Sequence, residues 1–284
     1  MTEKTKGLIE IHIAILLLSF IALFAKLIHL PPTIIILGRA FFASVALFII
    51  LKYSKQNLLL KSTKDYIYLI ILGLIFAIHM VAFFQSAQVS TVAVALVIFY
   101  TYPVFITILE PYFSKEKIGL PNLALALIVF IGVALIIPEY KLENDISQSV
   151  LFGFISSLTF AVVAIANKKH VKHYSSQLLA FYQFGISTIV LLPFIFIENF
   201  IISPYDIILL ISLGVVFTVG GYTLFISAMK YLKAQKVGII AGLEPVYGTI
   251  WALLILGEIP QVRTILGGLI ILVASLYATF SKKS

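Results

Sequence analysis

Two similar stretches decide the fold, AFFQSAQ at residues 82–88 and LFISAMK at residues 224–230. The Ser-Ala pair at 86–87 recurs at 227–228, a register of 141 residues, and Tyr-Pro-Val at 102–104 corresponds to Glu-Pro-Val at 244–246, a register of 142 residues. A glutamate lies thirteen residues beyond each proline, at Glu116 and Glu258. Self-similarity at a fixed period is typical of repeat architectures. The chain therefore contains two related halves.

The composition predicts a membrane protein. Hydrophobic residues make up 61% of the 284 residues, charged residues only 11%, and the mean hydropathy is +1.12. Soluble domains are about 45–50% apolar and about 25% charged, and a bilayer-spanning helix needs about 20 apolar residues. Continuous apolar runs favour helices over a β-barrel, whose strands alternate in polarity. We expect ten spans, at residues 8–28, 33–51, 66–86, 91–112, 120–138, 148–167, 176–198, 204–229, 237–256 and 264–281.

Each half then holds five spans, an odd number, so the second half is expected to be inverted relative to the first. The predicted fold is an all-α polytopic membrane protein of ten transmembrane helices in two inverted five-helix repeats. The first repeat comprises residues 1–140 with spans one to five, and the second comprises residues 146–284 with spans six to ten. Inverted repeats are typical of secondary transporters, which bind substrate near the midplane where the halves meet.

The distribution of lysine predicts the orientation. With a cytoplasmic N-terminus, 16 of the 20 basic residues fall on the cytoplasmic side, as the positive-inside rule requires. Both termini are then cytoplasmic. The net charge of +8 is explained by the basic cytoplasmic loops, and we expect no nucleic-acid partner. The first span contains Glu10 and His12, lacks a cleavage site and does not resemble a signal peptide. Since no targeting segment is evident, we expect a multi-pass protein of the plasma (inner) membrane.

Motifs for catalysis and for cofactors are missing from the sequence. Cysteine is absent, as are the P-loop pattern GxxxxGK[ST] and the zinc pattern HExxH. We therefore expect no cofactor, no bound metal and no enzymatic activity, and transport that is passive or ion-coupled. Two alternatives stay open from the residues alone: an intramembrane enzyme acting on lipid or isoprenoid substrates, and a membrane sensor that does not transport. The first would need paired acids or a nucleophile–base pair within the spans.

Two longer segments resemble a known family. Residues 74–119, LIFAIHMVAFFQSAQVSTVAVALVIFYTYPVFITILEPYFSKEKIG, and residues 228–258, AMKYLKAQKVGIIAGLEPVYGTIWALLILGE, are similar to the two repeats of EamA-type members of the drug/metabolite transporter superfamily. The resemblance covers nearly the whole chain, and the spacing of Lys26 and Arg39 fits it. It implies ten inverted spans around a central cavity, with export or uptake of amino acids or other small metabolites. It also implies rocking of the first two spans of each half against the remainder.

Polar residues inside spans are candidates for substrate contact, because a charge at the bilayer centre costs roughly 2.5–3.5 kcal/mol. His79 lies in mid-span with Phe83 one turn further on, and it could contact substrate, relay a proton, or simply bond a helix carbonyl. Glu244 precedes a proline that exposes a backbone carbonyl, and it is a candidate ion or proton site or a structural feature of the kink. His79 and Glu244 are thus the ion-coupling candidates.

The remaining substrate-site candidates are three tyrosines, one arginine and one glutamine within the spans. Tyr100, Tyr182 and Tyr222 are span tyrosines of the kind that lines small-molecule cavities. Arg39 could hold a carboxylate in bidentate fashion or extend to the interface, and Gln183 is near its repeat-equivalent position. The sequence thus predicts a carrier of a small polar or zwitterionic metabolite in the lipid bilayer, with protons as possible partners. Either a monomer or a homodimer is compatible with it.

Overall fold

The computed structural model describes residues 3–114, 145–232 and 240–280, together with isolated positions between these ranges. Twelve α-helices lie in these ranges: α1 (Glu3–Ser19), α2 (Ile21–Leu27), α3 (Pro32–Tyr53), α4 (Thr63–Val89), α5 (Val92–Phe99), α6 (Tyr102–Ser114), α7 (Asp145–His170), α8 (Ser176–Leu191), α9 (Pro204–Ile211), α10 (Gly221–Tyr231), α11 (Glu244–Trp251) and α12 (Val262–Phe280). A 3₁₀ segment (Leu192–Phe196) extends α8, and π-helical segments follow α9 (Ser212–Gly220) and α11 (Ala252–Leu256).

Six of the resulting helical units are long and apolar enough to cross a membrane: Glu3–Leu27, Pro32–Tyr53, Thr63–Val89, Asp145–His170, Ser176–Phe196 and Pro204–Tyr231. Shorter apolar helices occupy three further expected spans, at Val92–Ile106, Glu244–Leu256 and Val262–Ala274. Only isolated positions of the fifth expected span, residues 120–138, are described, and Glu116 and the boundary between the repeats lie outside the described residues. The expectation of an all-α polytopic membrane protein is confirmed.

Side chains at the helix starts explain where several spans begin. Ser62 accepts a hydrogen bond from the backbone N–H of Asp65 at the start of α4, and Ser175 does the same for Leu178 in α8. At α9, Ser203 and Asp206 form a reciprocal capping box around Pro204 in the first turn. These caps satisfy N–H groups that a helix end leaves unpaired, so the polar residues between apolar runs fix the span boundaries.

The helices break at matching places in the two repeats. The fourth span is interrupted at Tyr100–Thr101, before α6, and the ninth at Gly242–Leu243, before α11. The register of 142 residues maps one break onto the other, and each lies just before its repeat's proline. The hydroxyls of Thr101 and Ser157 are 2.6 Å apart and fully buried, so α7 supplies a polar partner at the first break.

The helix packing is also related by exchange of the halves. The most extensive contact joins α4 to α7, and its counterpart joins α10 to α1. The contact of α4 with α8 corresponds to that of α3 with the π segment after α9, while α3 packs directly against its own counterpart α8. The centre of the bundle is therefore built from helices of both repeats.

α4 shows how this packing orients the central residues. Its apolar residues Ile67, Ile70, Ile71, Leu74 and Ile78 are exposed along one stripe, spaced as helix neighbours on one face. Nothing on that stripe is polar, which suits a surface in contact with lipid. The opposite stripe, with Phe76, His79 and Phe83, is buried and therefore faces the interior of the bundle.

Candidate functional site

A small cavity lies at the centre of the bundle between the two repeats. Its volume is about 50 Å³, room for only a few water molecules at about 10–15 Å³ each. The wall combines seven aromatic side chains with one arginine, one histidine and one glutamate. The lining residues are Leu18, Ile21, Arg39, Phe76, His79, Phe83, Phe99, Tyr102, Phe160, Tyr222, Phe225 and Glu244.

Arg39 enters the cavity from α3 and is held by the eighth span. Its Nε donates a 2.8 Å hydrogen bond to Oγ1 of Thr218, and its Cζ lies 5.8 Å from the centre of the Phe84 ring. Thr218 belongs to the π-helical segment after α9, a helix form that occurs frequently at functional sites. Close approach of the two spans depends on Gly214, because a Cβ there would lie 2.8 Å from the carbonyl oxygen of Arg39.

His79 is fixed by α7 and surrounded by aromatic rings. Its Nδ1 lies 3.1 Å from the carbonyl oxygen of Ser156 and 2.9 Å from the Ser156 hydroxyl. The ring centroids of Phe160 and Phe99 are 4.8 and 5.4 Å from that of the imidazole. The imidazole is therefore held in one orientation at the cavity wall.

Tyr222 presents its ring to the cavity, while its hydroxyl belongs to a closed ring of hydrogen bonds. The hydroxyl donates to Oε1 of Gln183 at 2.6 Å, Nε2 of Gln183 donates to Oδ1 of Asn167 at 2.6 Å, and Nδ2 of Asn167 donates to the Tyr222 hydroxyl at 3.0 Å. All three side chains are buried. This polar ring joins α7, α8 and α10, and each of the three side chains is hydrogen-bonded to the other two.

Glu244 is the acidic group of the cavity. It is the first residue of α11, directly after the break in the ninth span, and only 9% of it is exposed. A carboxylate is favoured at a helix N-terminus, where N–H groups lie unpaired. Among the described residues, the one ion pair within 4.0 Å is Lys6–Glu10, so Arg39 and Glu244 line the same cavity without a direct salt bridge.

At one end of the bundle the hydroxyls of Tyr174 and Tyr182 contact the α3–α4 loop and the first turn of α4, and we term these contacts the tyrosine latch. The Tyr174 hydroxyl accepts from the backbone N–H of Lys61 at 2.9 Å and donates to Oδ2 of Asp65 at 2.5 Å. The Tyr182 hydroxyl donates to the carbonyl of Leu58 at 2.9 Å. Burial raises the pKa of Tyr174, so its hydroxyl keeps its proton at neutral pH.

The opposite end is also joined by hydrogen bonds, from Nζ of Lys26 to the carbonyls of Gln88 and Ser90 and from Nε2 of Gln88 to the carbonyl of Leu30. There the described contacts between the start of α3 and the segment after α8 include one hydrogen bond, from the Thr33 hydroxyl to Oε1 of Glu198 at 3.1 Å. Glu258, one of the two repeat glutamates, accepts from the backbone N–H of Val92 at 2.9 Å and so caps α5 across the repeats.

The structure brings together five of the expected site residues around the cavity: Arg39, His79, Phe83, Tyr222 and Glu244. Three others lie elsewhere. Gln183 lies behind Tyr222 in the polar ring, and Tyr182 is at the tyrosine latch. Tyr100 lines a separate apolar groove of about 230 Å³ between α5, α11 and α12.

Sequence reasoning missed several residues that form or support the site. Tyr102 lines the cavity, Ser156 orients His79, Thr218 holds Arg39, and Asn167 completes the polar ring. Ser156 and Thr218 are polar residues inside apolar runs, a signal that was available. Asn167 directly precedes Lys168 and Lys169, so its position in the sequence indicates a span end and gives no sign of a buried site residue.

Comparison with known proteins now places the chain. The model of the EamA-like transporter family matches residues 5–137 and again residues 147–280. The chain belongs to the EamA-like transporter family. An S-adenosylmethionine uptake transporter of Rickettsia conorii is 28% identical over 247 residues, spanning 86% of this chain and 82% of the relative. The pseudopaline exporter CntI of Pseudomonas aeruginosa is 23% identical over 256 residues, spanning 89% and 88%. An uncharacterized transporter of Bacillus subtilis, YxxF, is 24% identical over 270 residues, spanning 93% and 86%.

A solved structure agrees with the fold. A protein known from its crystal structure superposes on this EamA-like chain with a TM-score of 0.70, at 15% identity, covering 98% of this chain and 96% of its own. Family membership, the apolar spans and the relatives together identify a small-molecule transporter that crosses the lipid bilayer several times.

Proposed function

We propose that this transporter carries amino acids or closely related zwitterions across the plasma membrane by alternating access of two inverted repeats. The observation that supports it best is the presence of two oppositely charged side chains in one cavity. Arg39 and Glu244 line one cavity and are not salt-bridged to each other. A zwitterion would give the guanidinium a carboxylate, in the bidentate geometry that arginine favours, and would give the carboxylate of Glu244 an ammonium group.

The cost of buried charge favours this assignment. A charged side chain in mid-membrane costs roughly 2.5–3.5 kcal/mol and is usually paired or functional. Two such groups facing one cavity are compensated when a ligand brings both opposite charges at the right spacing. The aromatic wall, with Phe76 and Phe160 among its members, supplies apolar surface for the rest of the substrate. S-Adenosylmethionine, carried by one relative, is itself an α-amino acid derivative, which agrees with this class.

The ends of the bundle support alternating access. A cavity of about 50 Å³ is too small to release a metabolite without separation of helices. The tyrosine latch closes the end that carries Lys61 and Lys169, which the positive-inside rule makes cytoplasmic. Opening this latch while the Thr33–Glu198 end stays closed would expose the cavity to that side. The matched helix breaks and the exchange symmetry of the packing are what inverted repeats would produce.

Glu244 is also the preferred coupling site. Its carboxylate can hold either a proton or the ammonium of the substrate, so that binding of one would release the other. Antiport of protons against substrate follows from this competition. Arg39 cannot take that role, because an arginine guanidinium stays protonated in proteins.

Counterflow in proteoliposomes tests the proposal. Vesicles preloaded with unlabelled L-amino acids are probed with each labelled amino acid in turn, a design that needs no coupling ion. We expect transient accumulation of at least one label, abolished by Arg39→Gln. The chain's other arginine, Arg263, is exposed and away from the cavity, and Arg263→Gln is the matched control that should retain counterflow. Silence of all amino acids in the wild-type protein would contradict the proposed substrate class.

A further inference from the structure

The contacts of His79 define which of its nitrogens carries the proton. Its Nδ1 lies 3.1 Å from the carbonyl oxygen of Ser156. A carbonyl oxygen can only accept a hydrogen bond, so this contact favours the tautomer with the proton on Nδ1, since two facing lone pairs would repel each other. The Ser156 hydroxyl, 2.9 Å from the same nitrogen, can rotate to accept as well. In the neutral imidazole the other nitrogen, Nε2, then bears a lone pair.

The surroundings keep this imidazole neutral. Its ring contacts are aromatic, from Phe76 and Phe83 on its own helix and from Phe99 and Phe160 on the fourth and sixth spans. Arg39 lines the same cavity, and its positive charge opposes a second one. No carboxylate among the described residues forms an ion pair with His79. Hence His79 meets the cavity as a hydrogen-bond acceptor.

We propose that Nε2 of His79 and the carboxylate of Glu244 together accept N–H groups of the substrate's protonated amine, so that the carrier selects amines that retain N–H donors. Among the described residues Nε2 has no hydrogen-bond partner within the protein, although His79 lines the cavity. Glu244 lines the same cavity. The inference rests on the proposed zwitterionic substrate and goes further, because it assigns the ammonium group to two acceptors and the carboxylate to Arg39.

A different recognition chemistry would leave a different signature. Aromatic walls also bind quaternary ammonium groups through cation–π attraction, which needs no N–H donor. A site of that kind would tolerate or prefer N-trimethyl substrates. A primary ammonium has three N–H groups for two acceptors, so the second and the third methyl group each leave one acceptor unpaired, and buried unpaired acceptors are costly. Stepwise N-methylation of one substrate therefore separates the two chemistries.

The first arm of the test measures the histidine directly and needs no substrate. Protein labelled with ¹⁵N-histidine is reconstituted at pH 7, and nitrogen–proton correlation spectra report which ring nitrogen bears the proton. The His79 signal is assigned by its loss in His79→Phe. We expect a proton on Nδ1 alone. A proton on Nε2, or on both nitrogens, would overturn the inference while leaving the proposed function intact.

The second arm uses counterflow of the amino acid that gives the strongest signal, competed with its N-methyl, N,N-dimethyl and N,N,N-trimethyl derivatives. Each charge-assisted hydrogen bond lost should weaken competition about tenfold, and the trimethyl derivative should compete about 100-fold less well than the parent. In His79→Phe this ratio should fall by about tenfold, because one acceptor is gone while the ring shape is kept. A merely structural role would lower activity without changing the ratio.

The exposed His12 of α1 provides the control, since His12→Phe should leave the ratio unchanged. Equal competition by the parent amino acid and its three derivatives in the wild-type protein would overturn the inference. Failure of every amino acid to show counterflow, with Nδ1 protonated, would overturn the proposed substrate class and with it the ammonium assignment. These outcomes distinguish failure of the inference from failure of the proposed function.

Discussion

The polar ring of Asn167, Gln183 and Tyr222 allows a stability prediction whose size follows from the structure. Substituting Gln183→Leu keeps the approximate volume of the side chain and removes two interhelical hydrogen bonds, each 2.6 Å long. Oδ1 of Asn167 and the hydroxyl proton of Tyr222 then have no partner in the buried ring. The change acts on contacts between α7, α8 and α10 and on the residue that presents its ring to the cavity.

The expected loss in stability is modest, because the polar groups of the unfolded chain also find hydrogen-bond partners in the membrane. Interhelical hydrogen bonds in membrane proteins average about 0.6 kcal/mol and reach about 1.7 kcal/mol. Two such bonds, tightly spaced and fully buried, give a loss of roughly 1–3 kcal/mol in the free energy of unfolding. Asn167→Leu removes one bond in common with Gln183→Leu, so the double variant should cost less than the sum of the single variants.

The assay is reversible unfolding in mixed micelles titrated with SDS. The chain's single tryptophan, Trp251, is a built-in fluorescent probe, stacked on Phe20 at a centroid distance of 4.5 Å. Gln261→Leu, at an exposed residue, is the matched control and should be near neutral. If Gln183→Leu is no more destabilising than this control, or if the two ring substitutions add fully, the reasoning about the ring is refuted.

Three further predictions concern other parts of the bundle. Tyr174→Phe removes the latch hydroxyl and should raise cysteine-labelling access to the cavity from the latch end in a variant with one introduced cysteine, whereas Tyr53→Phe, at a 91% exposed tyrosine of the same end, should not. Gly248→Val should reduce folded yield in detergent several-fold, because even a Cβ there would lie 2.2 Å from Cδ1 of Leu96; full yield would show that α5 and α11 separate easily. Glu258→Ala removes the cap on α5 and should cost about 0.5–2 kcal/mol in the same SDS titration, and an unchanged midpoint would contradict that role.

Much of the fold follows from the sequence because its signals are local. Apolar runs of span length and the repeated Ser-Ala and Xaa-Pro-Val patterns can each be recognised from a few neighbouring residues. Pro103 and Pro245 even indicate where two helices are interrupted. The inverted arrangement and the count of ten remain predictions, since only isolated positions of the fifth expected span are described.

The site was only partly predictable, because rotation about a helix axis decides which residue faces inward. Successive helical residues point about 100° apart, so a break of the helix resets which neighbour lines the cavity. At Tyr100–Thr101 the break turns Tyr102 to the cavity and Tyr100 to the lateral groove. Gln183 and Asn167 meet across two helices, a contact that depends on tertiary packing and carries no local signal.

In the proposed site, Arg39 binds the carboxylate of the substrate and Glu244 binds its ammonium group within one cavity. The most direct test measures competition against counterflow by a transported amino acid, its α-hydroxy acid and its decarboxylated amine, in Arg39→Gln and in Glu244→Gln. We expect a crossed pattern in which Arg39→Gln weakens binding of the hydroxy acid but spares the amine, while Glu244→Gln does the reverse. Equal losses for all three compounds in both variants would contradict the assignment of the two charges.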